Sequence, residues 1–336
     1  MKKAKIANIT ENADLKKEIT FPLIFEEFLE ETIVKVEAPY QIIEEGGRRH
    51  ITASWYVKSG ETGLENREKM LNDIVSREYN PFLEENLYEK VARVNLSDEK
   101  SILSFCNRYG PIGTIDEKMP MNVAGNTQKT ITGTGAPLEA FIEEARLINS
   151  ILKHHYDLKS DKLRLSKEVK DKYIETIIFF YPELKDRLST GDDKTIVKAW
   201  IMLLINRRLP LISPYLKLGN DNSFIQTVTS YSLLGAIYHQ LKELVANEHP
   251  LKECLFCGSY FTPRRIDAIF CPPDIPGDIG SCKNNYNQLK LRARKWYFSG
   301  QKSIDQISEL FGKSKQEIQQ WMEDYKGKKQ RKLKEE

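Results

Sequence analysis

The chain has 336 residues, 40% of them apolar and 29% charged, with a formal net charge of +3. That is ordinary globular composition, with room for two or three domains and a sizeable core. No apolar run approaches the roughly 18 residues of a membrane span. MKKAKIANITENADLKKEITF starts basic but has no apolar signal-peptide core, so a reducing cytoplasm is the expected compartment. The charge is unevenly placed: Lys283 to Glu336 carry 14 Lys and Arg against 7 Asp and Glu, while residues 1–282 carry 37 against 41. A mildly acidic body with a basic C-terminal module points to a polyanionic partner for that module alone.

Taken in order, residues 1–20 read as a polar leader. PLIFEEF, TIVKVEA and RRHITASWYV alternate as short strands, the last two joined by a loop with Gly46-Gly47. Asn66 to Ser76 has helical spacing, and Glu84 to Asn95 does so more weakly. A firmer helix starts at Ser97-Asp98-Glu99-Lys100, buries Ile102, Leu103 and Cys106, and stops at Tyr109-Gly110-Pro111. Residues 112–136 carry glycines and threonines without periodicity and read as an exposed loop. Thr132-Gly133-Thr134-Gly135 lacks the lysine that a phosphate cradle needs.

Helices are then expected over Leu138 to Tyr156, Lys167 to Phe180, Thr195 to Arg208 and Asn222 to Ala246, broken at Pro182 and Pro210. Trp200 and Tyr231 read as core residues. His154 and His155 read as satisfied surface histidines, because neighbours in sequence point about 100° apart on a helix and cannot jointly grip a metal. Asp192-Asp193 suits a helix N-cap. No catalytic constellation assembles, so the chain does not read as an enzyme. The nearest enzymatic alternative, a zinc-braced nuclease, would have only His249 close to the cysteines.

Four of the five cysteines fall within 254–282. Cys254-x-x-Cys257 followed by Gly258 has the form of a hairpin knuckle, whose glycine tolerates positive φ while two thiolates reach one ion. Cys271 and Cys282 supply the second pair, across the ten-residue loop PPDIPGDIGS. Four thiolates are what tetrahedral Zn²⁺ takes, so all four are assigned as zinc ligands. Cys106, on an apolar helix face, is expected to be an inert buried thiol.

The motif CxxCGxxFxPxR, a second Phe-Cys and then Cys-Lys-Asn running into a basic helix resemble the CGNR-type zinc finger. Cys282-Lys-Asn-Asn stands where that family has Cys-Gly-Asn-Arg. SYSLLGAIYHQLKELVANEHPLKECLFCG and LSDEKSILSFCNRYGPIG are similar to the segments preceding that finger in bacterial proteins with an ABATE-like domain. The resemblance implies a transcription regulator, with a DNA partner for the finger and a sensing or association role for the larger N-terminal part, through a protein partner or a small-molecule effector.

After Cys282, Asn284 to Phe298 reads as a helix with Tyr286, Leu289, Ala293 and Trp296 in one apolar line. SIDQISELFGKSKQEIQQWMEDY resembles a helix-turn-helix, with Gly312 in the turn and Ile304, Ile307, Ile318 and Trp321 inward. The residues expected to meet nucleic acid are Arg264, Arg265, Lys290, Arg292, Arg294, Lys295, Lys313, Lys315, Gln316 and Gln319, the cations on phosphate and the glutamines on base edges.

The expected fold is therefore mainly α with a small N-terminal β element (α+β), then a zinc-finger-like knuckle with its paired cysteines and a basic helical module. The units run 1–130, 137–250, 251–300 and 301–326, with a disordered basic tail at 327–336. The function is expected to be zinc-dependent nucleic-acid binding, the alternative being a zinc-stabilised protein-interaction module.

Overall fold

The computed structural model describes residues 32–53, 75–112, 129–132, 135–159, 163–218, 224–230, 232–273 and 281–335. The expected PLIFEEF strand, nearly all of the 66–76 helix, Tyr231 and most of the loop between Cys271 and Cys282 lie outside these residues.

The N-terminal part forms two small sheets. β1 (Thr32–Ala38) pairs antiparallel with β4 (Val75–Tyr79) and parallel with β5 (Lys129–Thr132). β2 (Tyr40–Glu45) turns at Gly46-Gly47, both at positive φ, into β3 (Arg48–Ala53), which pairs with β6 (Gly135–Pro137). Two expectations are corrected here. Val75 and Ser76 belong to a strand rather than to a helix end. Lys129–Thr132, placed in an unstructured loop by its composition, gains its ladder from β1, far away in sequence. Helical period and loop composition are local signals, and pairing across such a separation leaves no local trace.

The helices follow closely. α1 (Leu87–Ala92) and α2 (Glu99–Tyr109) come first, with the Asp98 carboxylate accepting from Lys100 N and Gly110 at φ 90 closing α2. α3 (Leu138–Asp157) and α4 (Lys167–Phe180) run as their patterns require, and α5 (Lys185–Ser189) follows a 3₁₀ turn opened by Pro182. α6 (Asp193–Asn206) is capped by Asp192, whose carboxylate accepts from Thr195 N at 2.8 Å.

The expected helix from Asn222 is corrected. β7 (Ile212–Leu218) and β8 (Phe224–Ser230) form an antiparallel hairpin, and only α7 (Leu233–Ala246) is helical. In FIQTVTS, β-branched residues crowd an α-helix and suit the pleated ladder that β7 provides.

One buried cluster runs from Val34 in β1 to Leu251, drawing on both sheets, α1, α2, α3, α6 and α7. Phe105 of α2 meets Phe141 of α3 edge to face at 5.7 Å. The segments on either side of 130–137 thus share a core. Cys106 is fully buried there, and burial pushes its thiol far up. A smaller cluster joins α4, α5 and α6, where Tyr173 stacks on Trp200 at 4.2 Å.

The two histidines are not both at the surface. His155 is buried and its Nε2 donates to His249 O at 3.0 Å, while half-buried His154 meets the Tyr173 hydroxyl at 2.9 Å. Burial lowers the pKa of both, which favours the neutral ring. No described helix is long and apolar enough to cross a membrane.

Candidate metal centre and the helical unit it anchors

β9 (Lys252–Glu253) and β10 (Tyr260–Phe261) pair antiparallel as the two sides of a knuckle. Its tip is closed by Cys254 N donating to Ser259 O and Gly258 N to Cys254 O, each at 2.9 Å. Gly258 sits at φ 72, where a side chain would be strained. Leu255 N donates to Ile269 O at 3.0 Å, which folds the 262–270 loop back and delivers Cys271 beneath the knuckle. Cys282 is the first residue of α8 (Cys282–Phe298), whose N-cap Ser281 accepts from Asn284 N.

The four Sγ atoms lie within 4.8 Å of one another. Cys257 and Cys271 are 3.8 Å apart and Cys271 and Cys282 3.2 Å, and all four are free thiols rather than disulfides. Tetrahedral Zn–S bonds of about 2.3 Å place sulfurs about 3.8 Å apart, so the cluster has the dimensions of a four-thiolate site. Among the described residues no other group of three His, Cys, Asp or Glu gathers closely enough to hold an ion.

The thiols also share their protons unequally. Cys254 is held far down by hydrogen bonds from Cys257, Cys271 and Cys282. At Cys257 the bond with Cys254 raises the pKa, but those with Cys271 and Cys282 outweigh it and bring the thiol down to about 6. Cys271 is pushed up by its bonds to the other three thiols, and Cys282 by those to Cys254 and Cys257. A divalent ion bound here would need all four as thiolates. An ion held by all four thiolates would have no open coordination position and would serve as a brace rather than a water-activating centre.

The cysteine knuckle faces two ways. Toward the body, Thr262 N donates to Glu89 Oε1 at 2.7 Å, Tyr88 OH lies 2.9 Å from Thr262 Oγ1, and Arg93 Nη1 donates to Pro272 O at 3.0 Å. Glu89, 2% exposed, also accepts from Arg93 Nη2 at 3.0 Å. Burial pushes its carboxyl up, against the lowering effect of Thr262 N–H and Arg93. Tyr260 packs its ring on Tyr156 of α3. Toward the C-terminus, Phe256 and Phe270 pack on a second core made by Tyr286, Ala293, Ile307, Ile318, Trp321 and Met322.

That core is closed by α9 (Ile304–Phe311) and α10 (Lys315–Glu335). Ser303 and Gln306 form a reciprocal capping box on α9, and Gly312 at φ 60 makes the turn. Trp321 Nε1 donates to Tyr286 OH, and that hydroxyl donates to Glu317 Oε1, both at 3.1 Å. The backbone of α10 continues to Glu335, so the basic segment expected as a disordered tail prolongs this helix. Leu333 and its charged neighbours lack an apolar period, and the helix there is an extension of the packed turn before it.

The expected nucleic-acid residues separate into groups. Arg264 pairs with Glu85, and Arg265 pairs in a bidentate way with Asp267. Lys290 lies over the rings of Tyr286 and Trp321, and Arg294 donates to Trp321 O while covering Tyr325. Lys313 donates to Leu255 O at 3.0 Å, tying the turn to the knuckle, and Lys315 pairs with Asp305 at 3.0 Å. Arg292, Lys295 and Gln316 are exposed, and exposed Gln319 donates to Glu323 Oε1 at 3.3 Å. Seven of the ten thus have partners within the chain, while α8 exposes Arg292 and Lys295, and the first half of α10 sets carboxylates beside its glutamines.

Sequence reasoning missed Glu89, Tyr88 and Arg93, which dock the knuckle from more than 160 positions away without any local motif. It also missed Phe298 and Tyr325, whose rings lie 5.4 Å apart at the end of α8; their only signal was apolar residues off the core-facing line. Compared with protein-family models, with curated proteins and with solved structures, the chain gives no match.

Proposed function

We propose that the protein binds nucleic acid through its C-terminal helical unit, with a Zn²⁺ held by Cys254, Cys257, Cys271 and Cys282 as a structural brace. The observation that supports this most is the position of Cys282, at once the fourth thiolate and the first residue of basic helix α8. Metal binding there would fix the start of a helix that exposes Arg292 and Lys295, in a unit whose charge is opposite to that of the body. The resemblance to the CGNR-type finger agrees with a regulator of transcription that contacts DNA. On this reading the body presents the basic unit and takes any partner or effector, and no residue is assigned a catalytic role.

The knuckle gives a specific reason to keep a second reading, a protein-interaction module. Ile266 is 93% exposed, with Leu255 and Ile269 also exposed beside it. Titration of the full-length, zinc-loaded chain with labelled DNA at increasing salt separates the two. Nucleic-acid binding predicts an affinity that falls steeply with log salt, and Arg292→Gln with Lys295→Gln should weaken it and flatten the slope. Absence of binding at low salt would favour the interaction module.

A further inference from the structure

We infer that the edge formed by Phe298, Tyr325 and Arg294 is a stacking platform for unpaired bases, so that the preferred nucleic acid is a single strand rather than an intact duplex. This rests on the nucleic-acid reading and narrows it.

Phe298 and Tyr325 are 45% and 39% exposed, yet their rings meet each other at 5.4 Å with a 40° tilt. The Arg294 guanidinium lies 5.1 Å from the Tyr325 centroid, and its Nε is fixed on Trp321 O at 3.1 Å. Two partly exposed rings and a guanidinium held on Trp321 O thus lie together at the surface. Leu291 and Lys295 fall on the same strip of α8 as Phe298, at helical spacings of four and three, and both are exposed. From Tyr325 the backbone of α10 runs directly into KGKKQRKLK, which holds six Lys and Arg in nine residues. Rings to stack on beside a dense run of positive charge are the two components that unpaired strands require, one for the base faces and one for the phosphates.

A duplex is the poorer fit. Its bases keep their faces stacked on one another and offer only edges. The element that would read edges, the first half of α10 with α9, carries Lys313 and Lys315 against Asp305, Glu309, Glu317, Glu323 and Asp324. Gln319 and Gln320 donate their amides to Glu323 and Asp324. A membrane surface fits poorly too, because Lys295, Asn284 and Asn287 interrupt the apolar strip of α8 that an interfacial helix would have to bury.

The test uses the full-length, zinc-loaded protein and fluorescence anisotropy with three labelled 20-mers: a mixed-sequence single strand, its blunt duplex, and a single strand of equal charge built from abasic sites. The intact single strand should bind about tenfold or more tightly than either of the others. Phe298→Leu and Tyr325→Leu keep the bulk and remove the ring. Each should weaken single-strand binding by roughly five- to a hundredfold without changing its salt slope. Bound zinc and an unchanged unfolding midpoint would show that these variants are folded. Equal binding of duplex and single strand, or ring variants that bind like the parent, would overturn the platform and leave the nucleic-acid reading standing. Failure to bind any of the three, with binding to phosphatidylserine vesicles or to polyglutamate instead, would overturn both.

Discussion

Glu89→Ala should loosen the knuckle from the body although it touches no cysteine. The buried carboxylate accepts from Thr262 N and from Arg93, whose side chain is itself largely shielded from water. Removing it strands the Thr262 amide, worth about 1–3 kcal/mol, and leaves Arg93 without its counter-charge, so the total should approach the roughly 3–5 kcal/mol of a broken buried pair. Glu89→Gln keeps an acceptor for Thr262 N and should cost less, about 1–3 kcal/mol.

Urea unfolding of the zinc-loaded chain measures both variants, and the rate of zinc loss to a chelator reports on the knuckle itself, which should release metal faster in Glu89→Ala. A double-mutant cycle with Arg93→Ala should show coupling of at least about 1 kcal/mol. The pH dependence has a definite sign. Because burial raises the folded carboxyl above its ordinary value of 4.5, the folded chain holds this proton when the unfolded chain has already lost it. Stability from this group is therefore full below that value and is lost as pH rises through the raised one, and Glu89→Gln should remove that slope. A Glu89→Ala variant within about 0.5 kcal/mol of the parent, or strict additivity with Arg93→Ala, would refute the reasoning.

Elemental analysis should find one zinc per chain, and Cys257→Ser should release it and unfold the C-terminal unit while the 34–251 core persists; a chain with no stoichiometric metal would contradict the assignment. Tyr286→Phe should cost about 1–3 kcal/mol by calorimetry, since the buried Trp321 Nε1–H loses its acceptor. Gly235→Ala should cost a similar amount, because a methyl there would meet Ser230 Oγ and stand 2.9 Å from Leu211 O. Plasmid DNA incubated with the protein and Mg²⁺ should remain intact, and nicking that vanishes in His249→Ala would restore the nuclease alternative.

What could be read from the sequence was local in origin. The Cys-x-x-Cys-Gly turn, the glycine and proline after Tyr109, the Asp192 cap and the Gly312 turn are each complete within a few residues, and the structure places each as its chemistry demands. What could not be read needed a distant partner. Lys129–Thr132 becomes a strand only beside β1, and FIQTVTS only beside ISPYLKL. The basic residues show the same division. Their concentration near the C-terminus is plain from composition, but that Lys313 is spent on Leu255 O and Arg294 on Trp321 O depends on a packed core. The same core brings the rings of Phe298 and Tyr325 together at the surface, a meeting of two helices that no periodicity within either could indicate.

Because Cys282 both belongs to the four-cysteine cluster and opens α8, the cluster sets the rotational phase of that helix. Each residue of an α-helix turns about 100° and advances about 1.5 Å from the last. Tyr286 and Ala293 face the C-terminal core only while Cys282 faces the other three sulfurs. A single alanine inserted after Lys283 would leave the four cysteines able to meet, yet swing every later side chain of α8 by 100°, turning Tyr286 out of the core and carrying Phe298 away from Tyr325. The cluster and the core would then demand different rotations of one helix. The spacing between Cys282 and Tyr286 should therefore tolerate substitution far better than it tolerates a change in length.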